Sequence, residues 1–311
     1  MAGIVSYGGY IPQLRLNRGV MFMSNAWLNP ALFSAAQGER SMCNWDEDSV
    51  TMAVEASRDC LKGFDKNSVD ALYFASLSLP FYDRQNAGIV ATALNLKSAV
   101  ETADFTASMK SGAAALLAGL NAVKSGDCKN ALVTASDKRK TKSAWFNEMW
   151  FGDGAASLLL GNDNVIAEYK GSFSVTYDFI DHFRGINKTF DYNWEDRWIR
   201  DMGFSKIVPE AVNGLFKKTG ISGGDVRFFA MPCVYGREPV SIAKKLGIEK
   251  DKVRDNMHKV CGETGTAHAL VMLVDALQES KPGDKIVLAA FGQGCTAFLF
   301  EVTANISKLG P

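Results

Sequence analysis

The sequence predicts an α/β protein made of two copies of one structural unit, and three observations carry that expectation. Continuous apolar runs of strand length, such as ALYFASLS from Ala71 and KIVLAAF from Lys285, alternate with helical patterns, as happens where strands are buried on both faces. A cassette of Ala/Leu-rich helix, Lys-x-Gly-Asp turn and apolar strand occurs twice, with Lys124 and Lys281 lying 157 positions apart. The first apolar strands of the two copies, at Ala71 and Val226, are 155 positions apart, and half of 311 is about 155. A tandem duplication leaves such offsets. Two unrelated α/β halves would share the alternation but not the repeated cassette.

Along the chain, Asp46, Glu47, Asp48 and Ser49 make an acidic, capping start to a helix whose Val50, Ala53, Val54, Ser57 and Leu61 fall at helical spacing. The run Ala71–Ser78 reads as a buried strand. Helices are predicted over Asn86–Leu96 and about Ser111–Val123, with strands over Ala131–Ser136 and within Phe151–Gly161. The second copy predicts a helix over Ser205–Thr219 and a strand over Val226–Met231. Helices at about Pro239–Leu246 and Thr264–Glu279 and a strand over Lys285–Phe291 complete it. The halves are placed at 1–165 and 166–311, sharing one layered core. Residues 168–200, aromatic and charged, resemble neither copy and are expected to be an insertion shaping a pocket or an interface.

Composition narrows the function. The 34 basic residues balance 34 acidic ones, so the chain lacks the excess positive charge that drives binding to nucleic acid or anionic membranes. The opening MAGIVSYGGYIPQLRL has no basic start followed by an apolar run, so no signal peptide is expected. No stretch approaches the roughly 18 uncharged apolar residues of a membrane span, and a cytoplasmic location is expected. Six cysteines are scattered singly, with no CxxC pair or Cys/His spacing typical of zinc. No metal site is expected, and the thiols read as buried and reduced.

Four segments carry a family resemblance: SYGGYIPQLRL near the start, DEDSVTMAVEA, FGDGAASLLLG and the closing KPGDKIVLAAFGQG. Together, in this order, they resemble hydroxymethylglutaryl-CoA synthase-like proteins of the ketoacyl synthase III branch of the thiolase superfamily, from about Gly3 to Glu301. The resemblance implies a five-layered αβαβα fold of two pseudo-symmetric halves, usually a homodimer. It also implies carbon–carbon bond chemistry next to a CoA or carrier-protein thioester. In that fold a helix start from each half meets near the pseudo-two-fold axis, where unpaired N–H groups can stabilise a thiolate or an enolate oxygen. The corresponding segments here are Ser108-Met109-Lys110-Ser111-Gly112 and Gly262-Glu263-Thr264-Gly265.

Here the chain departs from its relatives. The family's cysteine sits in a pattern like A-C-K-A-G, and aligning lysine and glycine puts Met109 in its place. A thioether cannot form a thioester. The family's histidine, in a pattern like H-Q-P-N, falls on Ala230-Met231-Pro232-Cys233, its glutamate falls near Leu77, and its G-N-T asparagine is matched by Glu263. The polar candidates that remain are Glu263 as a general base, His268, Cys295 after the FGQG turn, and Ser108 beside the vacant nucleophile position. Each has a plainer alternative: a first-turn acid at a helix start for Glu263, a satisfied core histidine for His268, and a buried thiol for Cys295. Ser108 has no identified base. Cys261 reads as packing, Gly152 and Gly154 as turn glycines, and Asp181-His182-Phe183-Arg184 either as a substrate contact or as a solvated loop.

Two functions therefore stay open. One is an enzyme of synthase, acyltransferase or aldolase type, working on an acyl-CoA carbon–carbon bond without an acyl-cysteine, or through a relocated nucleophile such as Cys295. The other is a non-catalytic subunit that scaffolds or dimerises with an active thiolase-like partner. Either uses CoA thioesters and no permanently bound cofactor. The resemblance adds a homodimer or thiolase-like heterodimer, with a zinc-ribbon OB-fold protein as a further partner.

Overall fold

The computed structural model describes residues 1–308. The first half contributes β1 (Gly3–Tyr10), a two-stranded ribbon of β2 (Leu14–Asn17) and β3 (Glu39–Met42), then β4 (Ala71–Ala75), β5 (Glu101–Phe105), β6 (Asn130–Asp137) and β7 (Gly154–Gly161). Its helices are α1 (Arg18–Asn25), α2 (Ser49–Cys60), α3 (Asn86–Ala93), α4 (Ser111–Ser125) and the short α5 (Phe146–Trp150). The second half contributes β8 (Ala167–Val175), a small ribbon of β9 (His182–Phe183) and β10 (Tyr192–Asn193), β11 (Phe228–Ala230), β12 (Lys285–Phe291) and β13 (Cys295–Val302). Its helices are α6 (Asp196–Trp198), α7 (Ser205–Thr219), α8 (Glu238–Lys245) and α9 (His268–Gln278).

The strand order is β11-β12-β13-β8-β1-β7-β6-β4-β5. Read outward from the centre it mirrors itself: β1-β7-β6-β4-β5 on one side, β8-β13-β12-β11 on the other. Each half pairs its last two strands antiparallel and its two next-outer strands parallel. The fifth strand of the second half shrinks to one bridge, Phe229 to Val253. The halves join where β1 meets β8 at Gly3–Glu168 and Ile4–Ala167.

Strand alternation explains the layers. Ala71, Tyr73 and Ala75 of β4 and Ile286, Leu288 and Ala290 of β12 enter one core with α4 and α9. Their neighbours Leu72 and Phe74 face α2 and α3, while Val287, Ala289 and Phe291 face α7 and α8. The helix pair α4 and α9 thus lies between the sheet faces of the two halves, and each half carries a further helical layer outside. That is why the strands read as unbroken apolar runs. Helix α2 begins as its acidic lead predicts: Asp48 caps it, accepting from Thr51 N at 2.8 Å, while the Thr51 hydroxyl accepts from Asp48 N.

Some boundaries differ from the sequence expectation, for visible reasons. Strand β4 stops at Ala75 and not Ser78, because Ser76 and Ser78 turn their hydroxyls onto the Asp137 carboxylate, with Leu77 N. Helix α9 begins at His268, preceded by a single tight turn, Gly265–Ala267. Residues 168–175 form most of β8, so the segment outside the main sheet begins only after Val175.

Candidate active site

The two helix starts meet. Gly112 N, in the first turn of α4, donates to Thr266 Oγ1 at 2.7 Å, and a Cβ on Gly112 would lie 2.4 Å from Thr266 O. Only glycine allows that approach. The turn before α9 is held from below by Asp137 at the end of β6, which is fully buried and accepts from Thr266 N at 2.7 Å. Burial raises its carboxyl above the usual range, opposed by Arg139 and these donors. Gly265, at φ +65, lies directly on it.

Met109 precedes α4 at this junction. Its backbone packs on Gly292, whose φ of +153 and lack of a side chain permit the contact: a Cβ there would be 2.9 Å from Met109 Cβ. The sulfur lies 3.5 Å from Arg139 Nη1. Arg139 follows β6 and is buried, with its guanidinium 4.0 Å from the centre of the Phe151 ring. It is hydrogen-bonded to Asp191 and lies 3.5 Å from Glu263 Oε2. Burial works to lower its pKa, but the two carboxylates outweigh burial and hold the charge in place.

Glu263 is fixed through its backbone: its N donates to Trp150 O and its O accepts from Gly152 N, both at 2.8 Å. The side chain is buried, and Oε2 makes no hydrogen bond. Burial pushes its carboxyl above the ordinary range against the pull of Arg139. His182 also lies against Phe151, ring centres 5.2 Å apart. Its Nδ1 is 3.0 Å from Asp181 Oδ2, and its buried Nε2 has no partner. Burial works to raise the Asp181 carboxyl, but His182 and local N–H donors outweigh it and the pKa is lowered.

These groups line a cavity of about 40 Å³ holding Met109, Asp181, His182, Glu263 and Gly265 against an apolar wall that includes Phe204, Pro232, Ala290 and Phe291. Met109 and His182 also line a cleft of about 1060 Å³, with Arg40, Lys138, Arg139, Lys140, Arg184 and Lys188 among its walls. Cavity and cleft therefore meet at these two side chains.

Of the four sequence candidates, only Glu263 lines the cavity. Ser108 lies on the cleft wall, its hydroxyl donating to Gly292 O at 3.2 Å. His268 is fully buried in α9; Nδ1 accepts from Thr264 N at 3.2 Å and Nε2 donates to Asn256 O at 2.8 Å. Both nitrogens are taken, and burial lowers its pKa to about 4, the pattern of a core histidine. Cys295 is fully buried in the outer core of the second half, and burial pushes its thiol up to about 12. Arg139 and Asp191 carried no sequence signal. Asp181 and His182 stood out only as one segment among other polar residues. Among the described residues no group of three or more His, Cys, Asp or Glu could hold a metal, and no helix is long and apolar enough to cross a membrane.

Comparison with known proteins agrees with this architecture. The family described as 3-oxoacyl-[acyl-carrier-protein (ACP)] synthase III C terminal matches residues 216–302. A hydroxymethylglutaryl-CoA synthase of Aeropyrum pernix is 30% identical, over 100% of this chain and 87% of that protein. The chain belongs to the hydroxymethylglutaryl-CoA synthase family. Another family relative, from Methanococcoides burtonii, is 31% identical over 99% of this chain and 90% of its own length. The solved structure of an HMG-CoA synthase complexed with CoA superposes with TM-score 0.83 at 21% identity, covering 99% of this chain and 84% of that one. A 3-oxoacyl-(acyl carrier protein) synthase III, FabH, from Pseudomonas aeruginosa gives 0.84 at 18%, covering 97% and 98%. These likenesses place the fold in the thiolase superfamily.

Proposed function

We propose that the chain acts on acyl-CoA thioesters, making or breaking the carbon–carbon bond next to the thioester, with Glu263 as base and no acyl-cysteine at position 109. The observation that carries this reading is the Glu263 carboxylate, buried, raised in pKa and free of hydrogen bonds at Oε2, in the cavity beside Met109. A base so poised suits removal of a proton from carbon next to a thioester. The positive ends of the α4 and α9 dipoles favour the resulting negative charge, while Gly112 N and Thr266 N themselves donate within the junction. Family membership supports the thioester, since the relatives are named hydroxymethylglutaryl-CoA synthases and one similar structure holds CoA. Lys138, Lys140, Arg184 and Lys188 on the cleft walls, which also carry Asp48, Asp104, Asp153 and Asp191, suit the phosphates of CoA, with the thioester arm reaching Met109 and His182. This reading needs no permanently bound cofactor, and it gives Ser108, His268 and Cys295 no covalent role.

The mirrored strand order supports a division into halves at 165/166. A homodimer or thiolase-like heterodimer, joined by a zinc-ribbon OB-fold partner, is proposed as the working assembly. A second reading, a scaffold subunit, is favoured by two observations: Arg139 bridges Met109 and Glu263, and the cavity beside them holds only about 40 Å³.

Deuterium incorporation into the methyl group of acetyl-CoA in D2O, with any partner subunit present, separates the two. The enzyme reading expects exchange by the native chain and a loss of about 100-fold or more in Glu263→Gln, with acetyl-CoA affinity retained. No exchange by the native assembly, or equal exchange by the variant, would move the assignment to the scaffold.

A further inference from the structure

We infer that Arg18, Arg40 and His258 form an oxyanion site at the root of the β2–β3 ribbon, fitted to a small dianion of the phosphate class. The ribbon brings the two arginines together. Leu16 faces Arg40 in its register, and Arg18 N extends the ladder by donating to Gly38 O at 3.0 Å. Arg18 and Arg40 are therefore diagonal neighbours across the ribbon, roughly 7–8 Å apart at the backbone and within reach of each other's long side chains. The chain that leads into Glu263 closes the other edge of β3. Glu39 N donates to Lys259 O at 2.9 Å, and Ser41 N donates to Cys261 O at 2.8 Å. Gly38, at φ +81, lies so close that a Cβ there would meet Lys259 O at 2.4 Å. That contact puts His258 beside the ribbon, with its ring centre 4.9 Å from that of His268.

Arg18, Arg40 and His258 are buried, at 4, 9 and 7% exposure. Arg18 Nε and Nη2, Arg40 Nε and His258 Nε2 make no hydrogen bond, four of the seven such buried atoms among the described residues. Arg18 makes one long bond, from Nη1 to Gln37 O at 3.5 Å. Arg139, also buried, is by contrast paired with Asp191 and lies 3.5 Å from Glu263. Buried charge without a partner is costly, and two cations side by side add to that cost. Burial and the neighbouring Arg40 lower the Arg18 pKa to about 10. Burial lowers that of Arg40 against the attraction of Asp153 and Glu148, and burial, His268 and Arg18 lower that of His258. At neutral pH the set is thus two guanidinium cations and a neutral imidazole able to carry its proton on Nε2. A phosphate-class dianion satisfies it: its two charges match the two cations, and its oxygens accept from the guanidinium edges and from the imidazole. Arg40 also lines the large cleft, which gives the ion its way in. Burial of the rest of the cluster selects a small free ion over a phosphate carried on a large molecule. Held there, the ion braces the backbone that carries Glu263.

Thermal melting of the full chain in phosphate and in chloride at matched ionic strength, with calorimetric titration of inorganic phosphate, tests this. Saturating phosphate should raise the midpoint by about 3–5 °C over chloride, with one ion bound per chain. Arg18→Met keeps the stem and removes the charge. It should melt no lower than the native chain in chloride, because it relieves an unpaired cation, and should lose the phosphate shift. Arg18→Lys keeps the charge without the fork and should bind phosphate about tenfold more weakly; it decides the matter if the methionine variant does not fold. Equal midpoints in phosphate and chloride, or undiminished phosphate binding in the folded Arg18 variants, would overturn the inference. Saturating CoA should leave the phosphate titration in place. Its loss would assign the cluster to a phosphate of that ligand and overturn the free-ion site, while the reading of the acyl-CoA cavity would stand.

Discussion

At residue 109 a thioether faces a buried carboxylate at 263 through the guanidinium of Arg139, and the raised Glu263 pKa ties that arrangement to stability. A carboxyl whose folded pKa exceeds its unfolded value of 4.5 binds more protons folded than unfolded over the interval between them. Stability contributed by this group therefore falls as pH rises through that interval. Glu263→Gln removes the titration, so its stability relative to the native chain should be level below pH 4.5 and rise above it. Urea unfolding across that range checks the sign; a difference independent of pH would mean that the carboxyl is not raised. Glu263 was legible because the Gly-Glu-Thr turn precedes an apolar helix. His182 was legible only as part of the Asp181–Arg184 segment, since DHFRGINKTFDYNWEDRW mixes polar and aromatic residues without a period, and the β9–β10 ribbon brings the ring to Phe151. Arg139, in SDKRK after a strand, reads in sequence like any solvated basic run. Its burial depends on Asp191, which lies 52 positions away.

Among elements, α4 carries a tight requirement. Gly112→Ala would force a methyl against Thr266 O, and such overpacking costs about 2 kcal/mol. Gly88→Ala in α3, where the added carbon meets only Gln85 Oε1 at 3.5 Å, should instead be neutral or stabilise by about 0.5 kcal/mol. Denaturation midpoints of the two variants should move in opposite directions or differ by that margin. The helices α2, α4 and α7 were readable because an apolar face recurs at helical spacing, and β6 and β12 because both faces are covered. Four strands of the main sheet, β1, β5, β8 and β13, and both small ribbons escaped. Strand β5, ETADF, is an edge strand, mostly half-buried, carrying Glu101 and Asp104 among its five residues. Strand β8 mixes exposed and buried positions, AEYKGSFSV, and so looked like insertion.

On the scale of the whole molecule the mirrored order has one unequal member, since β5 is a full strand with an open edge and its counterpart is a single bridge. Open edges favour pairing with another chain. Light scattering should report a mass of twice 33.8 kDa, and a monomer at micromolar concentration would leave that edge without an explanation. The duplication itself was visible from 155- and 157-residue offsets, whereas the edge asymmetry is a property of pairing and leaves no mark on composition.

Gly3 of β1 and Glu301 of β13 both lie opposite Glu168 of β8, so these two strands flank β8 and are separated by two strand spacings, roughly 10 Å. A short linker from the end of β13 back to the start of β1 would span that gap and close this stretch of polypeptide into a ring. Reopened at the Asn162-Asp163-Asn164 turn between β7 and β8, a circularly permuted chain would keep every neighbour in the sheet while reading its halves in the opposite order. Which half comes first is a matter of covalent connection alone, and the junction between the helix starts would assemble either way.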